Sequence, residues 1–192
     1  MPYEIQAPGP GGVRLNSATY VALIRGINVG KTQLTMERLR KLCTACGFEV
    51  VQTYIQTGNV VFSSSDNPTE SGTALAARLQ RELGKPVSVV VRSARELAGV
   101  AAKNPFLKEK GVETARLHVA FLAEKPKLER VKALAAVGWG KDRFHHSAKE
   151  LYLYCPGGFG RSKLATTFER MLGVGATVRN WNTVSKLLEM AT

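Results

Sequence analysis

The stretch "VVQTYIQTGNVVFSS", residues 50–64, decides the fold. It holds two runs rich in Val, Thr, Tyr and Phe, broken by Thr57-Gly58-Asn59, a pattern that predicts two strands joined by a tight turn. Two strands so joined are antiparallel neighbours. Upstream, "TYVALIRG" (19–26) reads as a strand. "TMERLRKLCTACG" (35–47) reads as a helix, with Thr35 as N-cap and Leu39 and Leu42 on its buried stripe. Downstream, the turn-rich "SSDNPTESG" leads into a helix, "TALAARLQRELG" (73–84), and a strand, "PVSVVVRS" (86–93). The order is β-α-β-β-α-β, the split βαβ or ferredoxin-like unit: one antiparallel sheet with two helices on a single face.

The remainder repeats this order. "SARELAGVAAKNPF" reads as a linking helix, "RLHVAFL" as a strand and "KLERVKALAAVG" as a helix. "DRFHHS" and "ELYLYC" form a hairpin, "SKLATTFERMLG" a helix, "ATVRN" a short strand and "TVSKLLEM" a terminal helix. The expected architecture is α+β: a flexible leader over 1–17, a first ferredoxin-like half over 18–96, and a second over 97–192 that ends in a C-terminal helix. Similarity between the halves lies in element order alone, so a single larger mixed sheet competes with duplication.

Composition is ordinary for a globular chain, with 44% hydrophobic and 22% charged residues. The longest apolar runs are too short to span a bilayer, and "MPYEIQAPGPGG" has neither the basic nor the apolar region of a secretory signal. These features predict a cytoplasmic protein without membrane contact. Charge is the unusual quantity: +12 in all, +4 over residues 1–96 and +8 over 97–192. Such an excess favours an anionic partner, nucleic acid among them, against the plainer reading of a solvated basic surface. Cys43 and Cys46 form a CxxC spacing, but at the C-terminal end of a helix, where the dipole opposes thiolate formation. No second pair or nearby histidine completes four zinc ligands, so core filling is expected, with no metal and no cofactor.

The segment "IRGINVGKTQ" (24–33) imitates a Walker A loop. A P-loop needs four residues between its glycines, and only Ile27, Asn28 and Val29 separate Gly26 from Gly30. It also needs a parallel sheet and a strand-ending acid for magnesium. The loop still presents Arg25, Asn28 and Lys31 beside glycines that allow close approach of an anion, or else is a plain turn. In "CPGGFGRSKL", Gly157, Gly158 and Gly160 precede Arg161, Ser162 and Lys163 at a helix start. Free N–H groups, the dipole and two cations there suit a phosphate. The plainer reading makes Ser162 a simple N-cap. In "RNWNT", Arg179 and Asn182 are further anion candidates, against Asn180 or Asn182 capping while Trp181 packs.

The stretches "YVALIRGINVG", "YIQTGNVVFSS", "LYLYCPGGFGRSKL" and "ATVRNWNTVSKLLEM" resemble the mainly bacterial family known as domain of unknown function 1697. The resemblance runs from Tyr20 to Met190. It implies a ferredoxin-like α+β fold; it implies no activity, substrate or catalytic residue.

Catalytic constellations are thin. His145 and His146 are adjacent and point to opposite faces of an extended strand, and Glu37 and Glu169 show no partner in the sequence. Alternation in "ELYLYC" sends Leu151 and Leu153 towards the helices and Tyr152 and Tyr154 the other way. Taking Leu117, Val119 and Phe121 as inward leaves His118 outward, on one open face with the two tyrosines, able to stack bases. The competing expectation is that these aromatics join the two halves. Three function classes follow: a nucleic-acid or polyanion-binding module, an enzyme or binder for a small phosphorylated metabolite, and a protein-interaction scaffold.

Overall fold

The computed structural model describes residues 17–28 and 33–192. Residues 1–16 of the expected leader, and Lys31, lie outside the described residues. The first half runs β1 (Ala18–Ile24), α1 (Met36–Thr44), β2 (Glu49–Tyr54), β3 (Asn59–Ser64), α2 (Pro68–Leu83) and β4 (Val89–Ser93). After α3 (Ala94–Ala102) the second half runs β5 (Leu117–Leu122), α4 (Leu128–Ala135), β6 (Arg143–Ser147), β7 (Glu150–Tyr154), α5 (Lys163–Leu172) and β8 (Ala176–Asn180). α6 (Trp181–Ala191) closes the chain. The sheets have the orders β2-β3-β1-β4 and β6-β7-β5-β8, antiparallel throughout, so the fold is two ferredoxin-like halves.

The deciding hairpin forms as its sequence predicts. Gly58 sits at φ 79°, and a Cβ there would lie 2.8 Å from the Ile24 carbonyl oxygen, so only glycine lets the turn close on the end of β1. Ile24 N–H donates to the Gly58 carbonyl at 2.8 Å. Caps set the helices: Thr35 for α1, Asn67 and Ser93 in reciprocal capping boxes with Glu70 and Glu96 for α2 and α3.

Three apolar layers hold the molecule. Tyr20, Ala22, Ile24 and Phe62 of the first sheet pack under Leu39, Leu42, Leu75 and Leu79 of α1 and α2. Ala120, Leu122, Leu151 and Leu153 pack under Leu134, Leu164 and Phe168 of α4 and α5. Between the sheets, Val21, Leu23 and Val61 meet Val119, Phe121 and Tyr152 through Leu97 and Val100 of α3 and Trp181, Val184 and Leu187 of α6. Each fully buried Leu or Phe contributes on the order of 1.5–3 kcal/mol.

The two halves correspond bond for bond. Ile24 N–H donates to Gly58 and Leu122 N–H to Lys149, each at 2.8 Å; Arg25 N–H donates to Ser88 and Ala123 N–H to Gly175, each at 2.9 Å. On this register Arg92 of β4 matches Arg179 of β8, and the N-caps Ser93 and Asn180 match, as do the helices α3 and α6 that they start. The repeat is therefore βαββαβα, its last helix placed between the sheets. Each arginine crosses to the other half. Arg92 donates to the Leu122 carbonyl (2.9 Å), the Lys149 carbonyl (3.4 Å) and Glu150 (3.0 Å). Arg179 donates to Asn59 Oδ1 (2.5 Å) and to the carbonyls of Ile24 (2.8 Å), Thr57 (3.1 Å) and Gly58 (3.1 Å).

Candidate anion-binding site

The loop from Cys155 to Lys163 takes its shape from backbone bonds. Cys155 N–H donates to the Arg116 carbonyl at 3.1 Å, Gly158 N–H to Cys155 at 2.9 Å, and Ser162 N–H to Phe159 at 3.2 Å. Gly158 adopts φ 99°, which favours glycine, and the Arg116 guanidinium lies over it, with Nη1 3.5 Å from where a Cβ would stand. Ser162 is 4% exposed and caps α5, its hydroxyl accepting from Ala165 N–H at 2.9 Å. A helix start leaves its first N–H groups without intrahelical acceptors, so those of Lys163 and Leu164 carry the positive end of the α5 dipole. Arg161 and Lys163 are exposed, and neither side chain has an ion-pair or hydrogen-bond partner among the described residues. Arg116 is exposed and makes a loose 3.7 Å pair with Glu113, which solvent screens.

Rings flank these cations. Phe159 packs on His118 with centroids 4.4 Å apart, both half-buried. Burial holds the His118 imidazole below its ordinary pKa, against the opposing contact with the Arg116 carbonyl at 3.4 Å, and so favours the neutral ring. Burial likewise raises the Cys155 thiol, with a hydrogen bond from Ser162 opposing it. The arrangement offers exposed cations and the positive end of a helix to an anion beside an aromatic surface.

The other expected site residues are placed differently. Arg25 makes a bidentate pair with Glu169, whose second oxygen is 2.9 Å from Nη2, so the acid that shows no partner in the sequence has one across the halves. Asn28, at φ 57°, is engaged by Leu34 and by the β2–β3 turn: its amide donates to the carbonyls of Leu34 (2.9 Å) and Gln56 (2.8 Å) and its oxygen accepts from Leu34 N–H (2.6 Å). Lys31 lies outside the described residues. Arg179 is corrected from an anion ligand to a buried latch: it is 9% exposed and its donors are all engaged within the protein. Burial lowers its pKa from 12.5 to about 10, so it stays charged at neutral pH. Asn182 is exposed, its N–H held by the capping Asn180 oxygen at 2.9 Å, while Trp181 packs inward.

The shared stacking face is also corrected. Both faces of β5 are buried, so alternation in "LHVAFL" carries no inside-outside contrast, and the residues expected to face the helices face the other way. Val119 pairs with Tyr152, and Leu117, Val119 and Phe121 join it between the sheets; His118, paired with Leu153, faces the α5 side. Tyr152 is 1% exposed and donates to the Val100 carbonyl at 2.9 Å. Tyr154 is half-buried against Phe106, with the Arg143 guanidinium 5.1 Å from its ring centre. Sequence reasoning missed Arg116 and Phe159. Phe159 stands inside the glycine-rich string; Arg116 carries no local signal, since only the β5–β7 pairing brings it there.

Among the described residues no group of three or more His, Cys, Asp or Glu is placed to hold a metal ion, and no helix is long and apolar enough to cross a membrane. β1, before the Walker-like loop, lies between two antiparallel neighbours, unlike a P-loop strand. The family described as "Protein of unknown function (DUF1697)" matches residues 18–152. The chain belongs to this family. The DUF1697 match ends at Tyr152, before the glycine-rich loop. Among solved structures, a conserved bacterial protein from Streptococcus pneumoniae is similar at a TM-score of 0.74 and 22% identity, over 91% of this chain and 98% of that one. No curated protein matches. At that identity the likeness shows the fold.

Proposed function

We propose that this protein is a polyanion-binding module whose ligand is nucleic acid, held at the start of α5. The observation that carries this reading is the group Arg116, Arg161 and Lys163 around the His118–Phe159 ring pair, with Arg161 and Lys163 exposed and unpaired among the described residues. Exposed cations on a surface loop suit a chain of phosphates that passes across them. The half-buried rings suit one base edge or face, and the +8 charge of residues 97–192 extends the attraction beyond the loop.

Fluorescence anisotropy with labelled single-stranded oligonucleotides of increasing length, beside a mononucleotide, tests it. Affinity should rise with length, and Arg161→Ala with Lys163→Ala should weaken it. Saturable mononucleotide binding with no length dependence would replace this reading with that of a small phosphorylated ligand.

A further inference from the structure

A second site lies on β4. The four edge strands of the two sheets are β2, β4, β6 and β8, and proteins ordinarily blunt such edges. β2 carries an irregularity between Glu49 and Gln52, with Val50 at φ 49°. β6 reads "RFHHS", charged and exposed at its start. At β8 the chain's own Glu169 carboxylate accepts from Ala176 N–H at 3.4 Å while held by Arg25. β4 has no such cover among the described residues. Ser88, Val90 and Arg92 face β1 in the ladder, because Arg25 N–H donates to Ser88, so the N–H groups of Val89 and Val91 point outward.

Beside that edge runs a groove of about 420 Å³. One wall is Val87–Arg92; the other is α2, where Thr69, Gly72, Thr73 and Ala76 keep the wall low; Glu96, Ala123 and Lys149 complete it. Gly72 is tightly placed, since a Cβ there would stand 3.3 Å from a Val91 methyl. The groove continues past Arg92 into a second one of equal volume that Arg95 and Lys103 line. Among the described residues the side chains of Arg95, Lys103 and Lys149 have no partner, whereas Glu150 is neutralised by Arg92 and Glu96 is engaged by the Ser93 cap.

The repeat indicates what belongs there. Ile24 pairs with Val89 as Leu122 pairs with Ala176, so the Val89 amide matches the one that Glu169 occupies, and Ala123 stands where Arg25 holds that carboxylate. Among the described residues the Val89 amide thus has cations nearby but no carboxylate bonded to it, since Glu96 is turned to the Ser93 cap. We propose that β4 takes an extended acidic peptide of a partner protein as a fifth strand, its backbone bonded to Val89 and Val91 and its carboxylates beside Lys149, Arg95 and Lys103. This site is separate from the α5 loop and does not depend on it.

The probe is a fluorescein-labelled octapeptide alternating Val or Thr with Glu, measured by anisotropy and by amide NMR shifts. Binding should move the Val89 and Val91 resonances. Lys149→Glu, and the same peptide N-methylated at alternate residues, should each weaken it at least tenfold. Val89→Pro should do the same while β1 pairing persists, because proline there removes only an outward N–H. If Val89→Pro unfolds, the charge reversal and the N-methylated probe decide. No binding at millimolar peptide, equal binding by the N-methylated probe, or shifts confined to Gly157–Lys163 would overturn the proposal.

Discussion

Replacing Arg179 with Met removes the guanidinium but keeps the apolar stem that packs between the sheets. Asn59 Oδ1 and the buried Ile24 carbonyl then lose the Arg179 donor, while the Gly58 carbonyl keeps Ile24 N–H and the exposed Thr57 carbonyl turns to solvent. Leaving a buried acceptor unsatisfied costs about 1–3 kcal/mol, and breaking a buried charged network about 3–5 kcal/mol as a whole. Against this stands a gain, because among the described residues the buried cation has no carboxylate partner and desolvation depresses its pKa to about 10. The balance favours a net loss of about 3 kcal/mol, since water cannot readily reach acceptors around a residue 9% exposed. For a chain of this size that lowers Tm by about 6–12 °C. Urea denaturation in a Trp139→Phe background, followed by circular dichroism and by the fluorescence of the remaining Trp181, measures it. The tryptophan sits at the joint, so its transition should separate from the circular dichroism transition if the halves part before they unfold. An unfolding free energy within about 0.5 kcal/mol of wild type would refute the latch.

Gly58→Ala should cost more than about 2 kcal/mol in the same denaturation, since the turn is at φ 79° and the new Cβ would meet the Ile24 oxygen at 2.8 Å; a loss under 1 kcal/mol, roughly that of an unstrained glycine change, contradicts this. Tyr152→Phe should cost about 1 kcal/mol through the missing bond to Val100, and Tyr152→Ala about 3–5 kcal/mol as a cavity; an alanine variant as stable as wild type would return the ring to the surface. At pH 8, Ellman's reagent should leave Cys43 unmodified in the native protein, because burial pushes its thiol up to about 12; fast reaction at Cys43, followed by peptide mapping, would mark the CxxC spacing as reactive after all.

The sequence shows the elements more clearly than their faces. Strand, helix and turn are legible because the "QTGN" turn, the capping residues and the helical stripes are local signals, and the repeated order reveals two halves. Which face of β5 meets the helices is not, because "LHVAFL" is buried on both sides and the sandwiched α3 and α6 make the second face as apolar as the first. Arg179 looks like a ligand beside a helix start; only the docking of the other half makes it interior. The pairing of Arg25 with Glu169 spans 144 positions, beyond any pattern of spacing. Ser162 and Gly158 are legible since capping and positive φ are written locally, whereas Arg116 joins them only through strand pairing.

The most direct test of polyanion binding at the α5 loop is the salt dependence of affinity for a single-stranded oligonucleotide, compared between wild type and Arg116→Ala with Arg161→Ala and Lys163→Ala. Removing one cation–phosphate interaction should reduce the slope of log K against log salt by about 0.7 for a single strand, so removing all three should change it by about 2. The expected result is a folded triple variant with weaker binding and that shallower slope. An unchanged slope and affinity in the folded variant would contradict the assignment of the site.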